Sequence, residues 1–443
     1  MTSREEMVLA PRRARHARPP LRAHAARWRR AVMRRHTVAA GVLDAALSSL
    51  ASFAVGLYAA RLLDPVQLGA YALAFTAYGL AVTVPAQLTF TPLEIAAVSY
   101  QQPVRLRFIR RSLVLGGLST LLPALAIPGW MLFAPRAIPI EVAVGLSVTA
   151  VATAIVSPPQ DHLRRMLHIA GVSWCATVVS VVQLVVVATG LVALRLGGAP
   201  PWWAPFGALA LANLVSLITG LVLARRREHA AAVPAIRITD VMRSGRWMLL
   251  TSLVPTGAAF IASVIAAHIA GAAILGHAEV ARLSGQPVMV LAIGLAATLG
   301  PGIVAAAQAR EPRRARRVTT GFVAVIAVAA GAYLALVGGR WRWNPLAWLL
   351  PNAYTIPGLV AVTILANVTH GISYPARVEA LGAGKEVALT KVELVGNAVR
   401  VAIAGAAGVL GAFVIPLGIL VVGVVRWLGC RVVLRSHYTG KVP

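Results

Sequence analysis

Runs of about twenty predominantly apolar residues recur from Val38 to Leu428, and this repetition restricts the chain more than any motif within it. Crossing about 30 Å of hydrocarbon needs a run of that length in helical form, because every backbone N–H and C=O must be satisfied without water. The 443 residues are 58% hydrophobic, well beyond the composition of soluble domains. The expectation is an all-α integral membrane protein of about 12 transmembrane helices. The spans read as 38–60, 70–92, 112–133, 139–158, 169–194, 205–224, 247–270, 283–306, 318–338, 356–376, 390–409 and 411–428. Leu410 and Gly411 leave almost no turn between the last two, so an eleven-span count stays open.

The formal charge of +28 would in a soluble chain suggest phosphate neutralisation on a nucleic acid. Here the basic residues gather in alternate connectors and in the tails, with no folded domain to display them, so no nucleic-acid partner is expected. Arg105, Arg107, Arg110 and Arg111 share one connector, Arg225 to Arg227 a second, and Arg310, Arg313, Arg314, Arg316 and Arg317 a third. By the positive-inside rule these connectors and both termini are cytoplasmic. The tryptophans fall at the two interfaces, Trp130, Trp202, Trp203, Trp341, Trp343 and Trp348 outside and Trp174, Trp247 and Trp427 inside. Residues 1–37 form a basic tail, expected to be disordered and able to adhere to anionic membrane lipids. Cys175 and Cys430 offer neither a disulfide framework nor a metal site, and no cofactor is expected.

The connector 225–246 is the longest between spans and separates a six-helix bundle at 38–224 from another at 247–428, with a cytoplasmic tail at 429–443. A shift of 207 residues lays Ala59, Ala60, Leu68 and Gly69 on Ala266, Ala267, Leu275 and Gly276. Two units with the same even number of helices run parallel, related by an axis along the membrane normal.

The stretch Leu50 to Phe75, LASFAVGLYAARLLDPVQLGAYALAF, resembles the polysaccharide exporters of the multidrug/oligosaccharidyl-lipid/polysaccharide (MOP) flippase superfamily. Ala60 and Arg61 match the family's first helix end, and Tyr71, Ala72, Leu73 and Ala74 its next helix start. Asp64 stands before Pro65 where relatives more often carry Gly. Arg282, Gln286, Pro287, Gly300 and Pro301 add a looser likeness in the eighth span. The resemblance implies two bundles in the MATE-like fold, rocking around a polar cleft in a bacterial cytoplasmic membrane. It implies a lipid-linked oligosaccharide as cargo, with glycosyltransferases or a polymerase of an export system as partners. A cation-coupled multidrug or metabolite antiporter of the same superfamily is the alternative. An enzyme is not expected: the outer connectors are short, and Gly339 to Thr355 offers Trp and Arg without acid or His.

Ionisable residues at membrane depth mark candidate sites, because burying a charge there costs about 2.5–3.5 kcal/mol on insertion scales. Asp44, with Ser48 and Ser52 on the same helix face, is either an ion-coupling site or an interhelical hydrogen-bonding stripe. Glu393, Asn397 and Arg400 share a face of the eleventh span, where Arg400 meets an anionic substrate group or Glu393 and Arg400 neutralise each other through Asn397. Thr363, Asn367, His370 and Tyr374 share a face of the tenth, with His370 a structural donor or a proton relay. Arg61 and Arg282 are either substrate-cavity cations or interface anchors. Pro85, Pro92, Pro255 and Pro301 are expected to bend their helices.

Overall fold

The computed structural model describes residues 21–227, 236–338, 341–351, 354 and 356–439, and among them every regular element is helical. The first half runs α1 (Leu21–Leu62), α2 (Pro65–Pro85), α3 (Thr91–Val98), α4 (Gln102–Gly117), α5 (Leu121–Leu125), α6 (Ile140–Ile169), α7 (Ser173–Leu196) and α8 (Ala204–Arg225). The second runs α9 (Ile238–Ala270), α10 (Ala272–Gln308), α11 (Pro312–Val337), α12 (Pro345–Leu349), α13 (Leu359–Gly382), α14 (Glu386–Ala404), α15 (Ala407–Leu410) and α16 (Val414–Thr439).

Each expected span overlaps a helix, and the differences have local causes. Asp64 caps α2, accepting from the amides of Val66 and Gln67 at 2.9 Å with Pro65 at the first turn, so the residue that departs from the family pattern starts the helix. Pro85 removes an amide, and the chain continues through a π-helical turn, Ala86–Phe90, into α3, where Pro92 sits in the first turn. The fourth span does not end at 158: α6 carries Pro158 and Pro159 inside it, both buried, and runs to Ile169. The last two spans are separate helices, α14 and α16, joined by residues 405–413 with α15 between them.

Two tails differ from expectation. The basic segment expected to be disordered is helical from Leu21 as part of α1, with 1–20 outside the described residues, and the expected 429–443 tail is helical to Thr439. Among the described residues ten helices are long and apolar enough to cross a membrane, and α10, bent by 48° between Ala272–Ala296 and Thr298–Gln308, makes an eleventh. Of the twelve expected spans the one at 390–409, α14, is the exception because Glu386, Lys391, Glu393 and Arg400 lie along its 19 residues. The helix least fit for lipid thus carries three of the candidate site residues, Glu393, Asn397 and Arg400.

The halves meet along α2 and α10, and each half's first helix crosses to the other: α1 packs on α10 and α9 on α2. At the corners the 207-residue offset reappears as a reciprocal contact. Gly69 lies against the backbone of Ala272, and Gly276 against the carbonyl of Pro65, each too close to admit a Cβ. Ala59, Ala60, Leu68, Ala266, Ala267 and Leu275 are all buried in the same core cluster around these corners.

Candidate functional site

Two adjoining pockets in the second half, sharing part of their lining and reaching the first half, form a largely apolar cleft set with several polar and charged side chains. One, of 390 Å³, is lined by Ser49 of α1, Pro255 of α9, Arg282, Gln286 and Met289 of α10, and residues of α13, α14 and α16 that include Asn367, His370, Asn397, Arg400 and Arg426. The other, of 240 Å³, shares Arg282, Asn367, Arg400 and Ile419 with it and reaches Phe75, Thr76 and Gly79 of α2.

Burial of a carboxylate at this depth requires a partner. Glu393 has one, though not Arg400. Arg426 of α16 donates to both its carboxylate oxygens, Nε to Oε1 at 2.6 Å and Nη2 to Oε2 at 2.8 Å, with both side chains almost wholly buried. Arg426 Nη1 also lies 3.2 Å from the His370 ring, and Arg377 Nε is 3.9 Å from Glu393. Asn397 donates to the Glu393 backbone carbonyl at 2.8 Å and leaves its own Oδ1 without a partner. The expected neutralisation of Glu393 by Arg400 is therefore replaced by an interhelical pair: α14 and α16 pack closely enough for Arg426 to arrive first.

Arg400 makes no ion pair or hydrogen bond among the described residues. Gly418 of α16 gives passage to its stem, since a Cβ there would meet Arg400 Cγ at 2.9 Å, and the guanidinium reaches both parts of the cleft. Arg282 is paired in a forked geometry with Glu279, one turn earlier on α10, at 2.7 and 2.6 Å, and its guanidinium also covers the ring of Phe75 from the first half at 5.0 Å. Asn367 donates to the Gly285 carbonyl at 2.9 Å, fastening α13 to α10. The Gln286 Oε1 beside it is buried without a partner.

The remaining sequence candidates lie elsewhere. Asp44 turns away from the cleft into α6 and α7: Ser180 donates to Oδ1 at 2.5 Å, and His168 and Arg164 approach Oδ2 at 3.0 and 3.6 Å. Ser48 does not join it; its carbonyl accepts from Ser52. Arg61 is neither in the cleft nor a plain anchor, since it donates to the Leu349 and Trp348 carbonyls at 2.9 and 2.7 Å and so ties the end of α1 to α12 of the other half. Tyr354 repeats the tie by donating to the Leu63 carbonyl at 2.6 Å. Burial, with Asp64 nearby, pushes the Tyr354 phenol up to about 12.

Sequence reading missed Arg426, Glu279, Arg164 and His168, and also a second buried carboxylate, Glu94, with His162 and Arg165. A signal existed for the α6 group: two histidines and two arginines within seven residues at the end of an apolar run are more than an orientation signal needs. No group of three or more His, Cys, Asp or Glu able to hold a metal is present among the described residues.

No protein-family model matches the chain, and no curated protein matches its sequence. Solved structures match its fold. An outward-facing multidrug resistance MATE family transporter of the MOP superfamily superposes with a TM-score of 0.62 at 17% identity, over 91% of this chain and 96% of that one. The eukaryotic MATE transporter AtDTX14 gives 0.63 at 13% identity, over 91% and 97%. A MOP superfamily transporter from Pyrococcus furiosus Vc1, for which reversed polarity of the binding pocket is taken to suggest a different function, gives 0.60 at 16%, over 91% and 95%. The fold is that of the MATE transporters of the MOP superfamily, and these similar structures are transporters rather than enzymes.

Proposed function

We propose that the chain is a flippase that moves a lipid-linked oligosaccharide across the membrane by alternating access. The observation that carries this reading is the charge of the cleft. Glu279 is committed to Arg282 and Glu393 to Arg426, whereas Arg400 stands unpaired at the junction of the two parts. A surplus cation in a low-dielectric cleft favours an anionic cargo, such as the pyrophosphate of a polyprenyl-linked glycan, and disfavours an organic cation. Gln286 and Asn397 line the same wall, each with a buried acceptor oxygen without a partner, which would meet sugar hydroxyls once the side chain turns into the cleft. The wall also holds Met289, Val290 and Ile293 of α10 across from Ser49 of α1, an apolar seam along which a polyprenyl tail can stay in lipid. Rocking of the halves about their α2–α10 contact would expose the cleft to each side in turn.

Vesicles containing the purified protein test the reading: a polyprenyl-pyrophosphate oligosaccharide is expected to become accessible to an enzyme added on the opposite side. If it stays inaccessible while a known flippase moves it in parallel, the flippase reading fails.

The fold favours a second reading, a cation-coupled multidrug antiporter with Asp44 as the coupling acid. This reading requires Glu279 or Glu393 to release its arginine before a cationic drug is held. Cation-driven drug efflux that disappears in Asp44→Asn would support it, and drug sensitivity unchanged by overexpression would count against it.

A further inference from the structure

We propose that Glu94, His162 and Ser112 form a proton-binding site that controls the contact between the two halves at the arginine-rich end of the bundle. The proposal stands whichever substrate the cleft takes. His162 on α6 is 1% exposed. Its Nδ1 lies 3.0 Å from Glu94 Oε1 on α3, and its Nε2 lies 2.8 Å from Ser112 Oγ on α4. Ser112 has one hydroxyl hydrogen, and its Oγ is also 2.8 Å from the Ile109 carbonyl, which accepts it.

Proton bookkeeping at these three atoms leads to two self-consistent states. With the serine hydrogen on the Ile109 carbonyl, the Nε2 contact needs a hydrogen from the ring, so Nε2 is protonated. The 3.0 Å gap at Nδ1 then needs a hydrogen too, supplied either by the ring to a carboxylate or by a carboxylic acid to the ring. In both forms the pair holds one proton more than a neutral imidazole beside a carboxylate. Rotating the serine hydroxyl toward Nε2 completes the other state: Nε2 accepts from Ser112, Nδ1–H donates to the carboxylate, and the extra proton is gone. The Ile109 carbonyl lies inside α4, where a helical amide serves it in either case. One hydroxyl rotation thus lets the site hold either proton count with both ring nitrogens bonded.

The charged groups facing the site are few. On α6, Arg165 lies 3.5 Å from Glu94 Oε2 with its side chain half exposed, which supplies a route to water, and Asp161 is committed to Arg164 at 3.1 Å. Arg105 of α4 is spent on the Ala97, Val98 and Ile169 carbonyls. From α9 the apolar Val241 packs into the same core cluster as Leu93 and Ala97. On the far face of α6, His168 pairs with Asp44.

The link to the halves is mechanical. The ring of Phe90 stacks on His162 with centroids 4.6 Å apart and planes 29° apart, and Gly116 of α4 makes room for it from the other side. Phe90 ends the π-helical turn, and the carbonyls of Gln87 and Leu88 in that turn meet Gly245 of α9 across the halves, too close for a Cβ. An imidazolium holds an aromatic face more tightly than a neutral ring does. Loading the proton onto the ring therefore grips the turn on which α9 rests, and releasing it loosens that grip.

The test measures the seam directly in the full-length protein in detergent. Spin labels replace Val98 on α3 and Met242 on α9, both exposed, after Cys175 and Cys430 are changed to serine, and the distance distribution is followed between about pH 4 and 8, a range that brackets the ordinary histidine value on both sides. The wild type is expected to shift population across that range. Glu94→Gln, which removes the carboxylate that holds the imidazolium, is expected to keep the ring neutral and hold the alkaline distribution at every pH, and His162→Gln to lose the response. Phe90→Leu leaves both polar partners in place and is expected to lose the response without losing the site, so a folding defect in the first two does not end the test. His168→Gln, altering the other pair, is expected to keep it. A wild type indifferent to pH, or an unchanged response in any folded variant of Glu94, His162 or Phe90, overturns the proposal.

Discussion

Two buried carboxylates in each half are held by different nearest partners. In the first, Asp44 and Glu94 are each bound to a histidine of α6, at 3.0 Å in both cases with an arginine of α6 farther off at 3.6 and 3.5 Å, and both groups lie in helix packing away from the cleft. In the second, Glu279 and Glu393 are bound to arginines at the cleft wall, and a third arginine, Arg400, is left over. An imidazole partner can gain or lose a proton, whereas a guanidinium partner stays charged. One half is thus equipped to respond to protons and the other to hold a fixed positive field.

That contrast can be broken at several points. The largest effect is expected at Arg426. Arg426→Leu strands Glu393 and should cost about 3–5 kcal/mol, seen as a large fall in thermal stability in detergent, whereas the double change with Glu393→Leu should recover most of it. Equal losses in the single and double variants would show that the pair matters for its volume and not its charge.

Arg400→Ala is expected to leave the melting temperature nearly unchanged while weakening the binding of pyrophosphate by roughly tenfold to a hundredfold, the worth of a charge-assisted hydrogen bond of about 1.5–3 kcal/mol. Calorimetric titration of the purified protein reads this directly, and undiminished affinity would remove Arg400 from the anion site.

Asp44→Asn sharpens the comparison from the other side. It should destabilise by about 1–2 kcal/mol through its ties to Ser180 and His168 and leave pyrophosphate affinity within a factor of two. A matching loss of affinity would mean that the two halves do not divide the work. The smallest effect is expected at Arg61→Ala, about 1 kcal/mol, because its exposed hydrogen bonds to the Trp348 and Leu349 carbonyls exchange readily with water.

Much of the helical layout was legible because lipid imposes a length and a periodic charge bias that a sequence displays openly. The helices that ran past their expected ends show what was hidden. Pro158 and Pro159 read as a stop, yet α6 carries both because neighbouring helices bury that turn. The face shared by Glu393, Asn397 and Arg400 follows from helical spacing, but the identity of Glu393's partner depends on how α14 and α16 dock, 33 residues apart in sequence. Arg426 was hidden by a rule that otherwise works: an arginine near a span end is already explained by orientation, so nothing drew attention to it as a counterion. Glu94 and His162 were hidden in the same way, each close to a basic connector.

The reciprocal corner has a geometric consequence. Gly69 and Gly276 bring main chain to main chain with no intervening rotamers, so the joint has nothing soft to compress and its length is fixed. Its form, with position i of one copy on position j of the other and the reverse, is that of an isologous dimer interface closed within a single polypeptide. A bulkier residue at either glycine would therefore act as a wedge on one side of a symmetric joint and tilt the whole assembly, not merely its own helix.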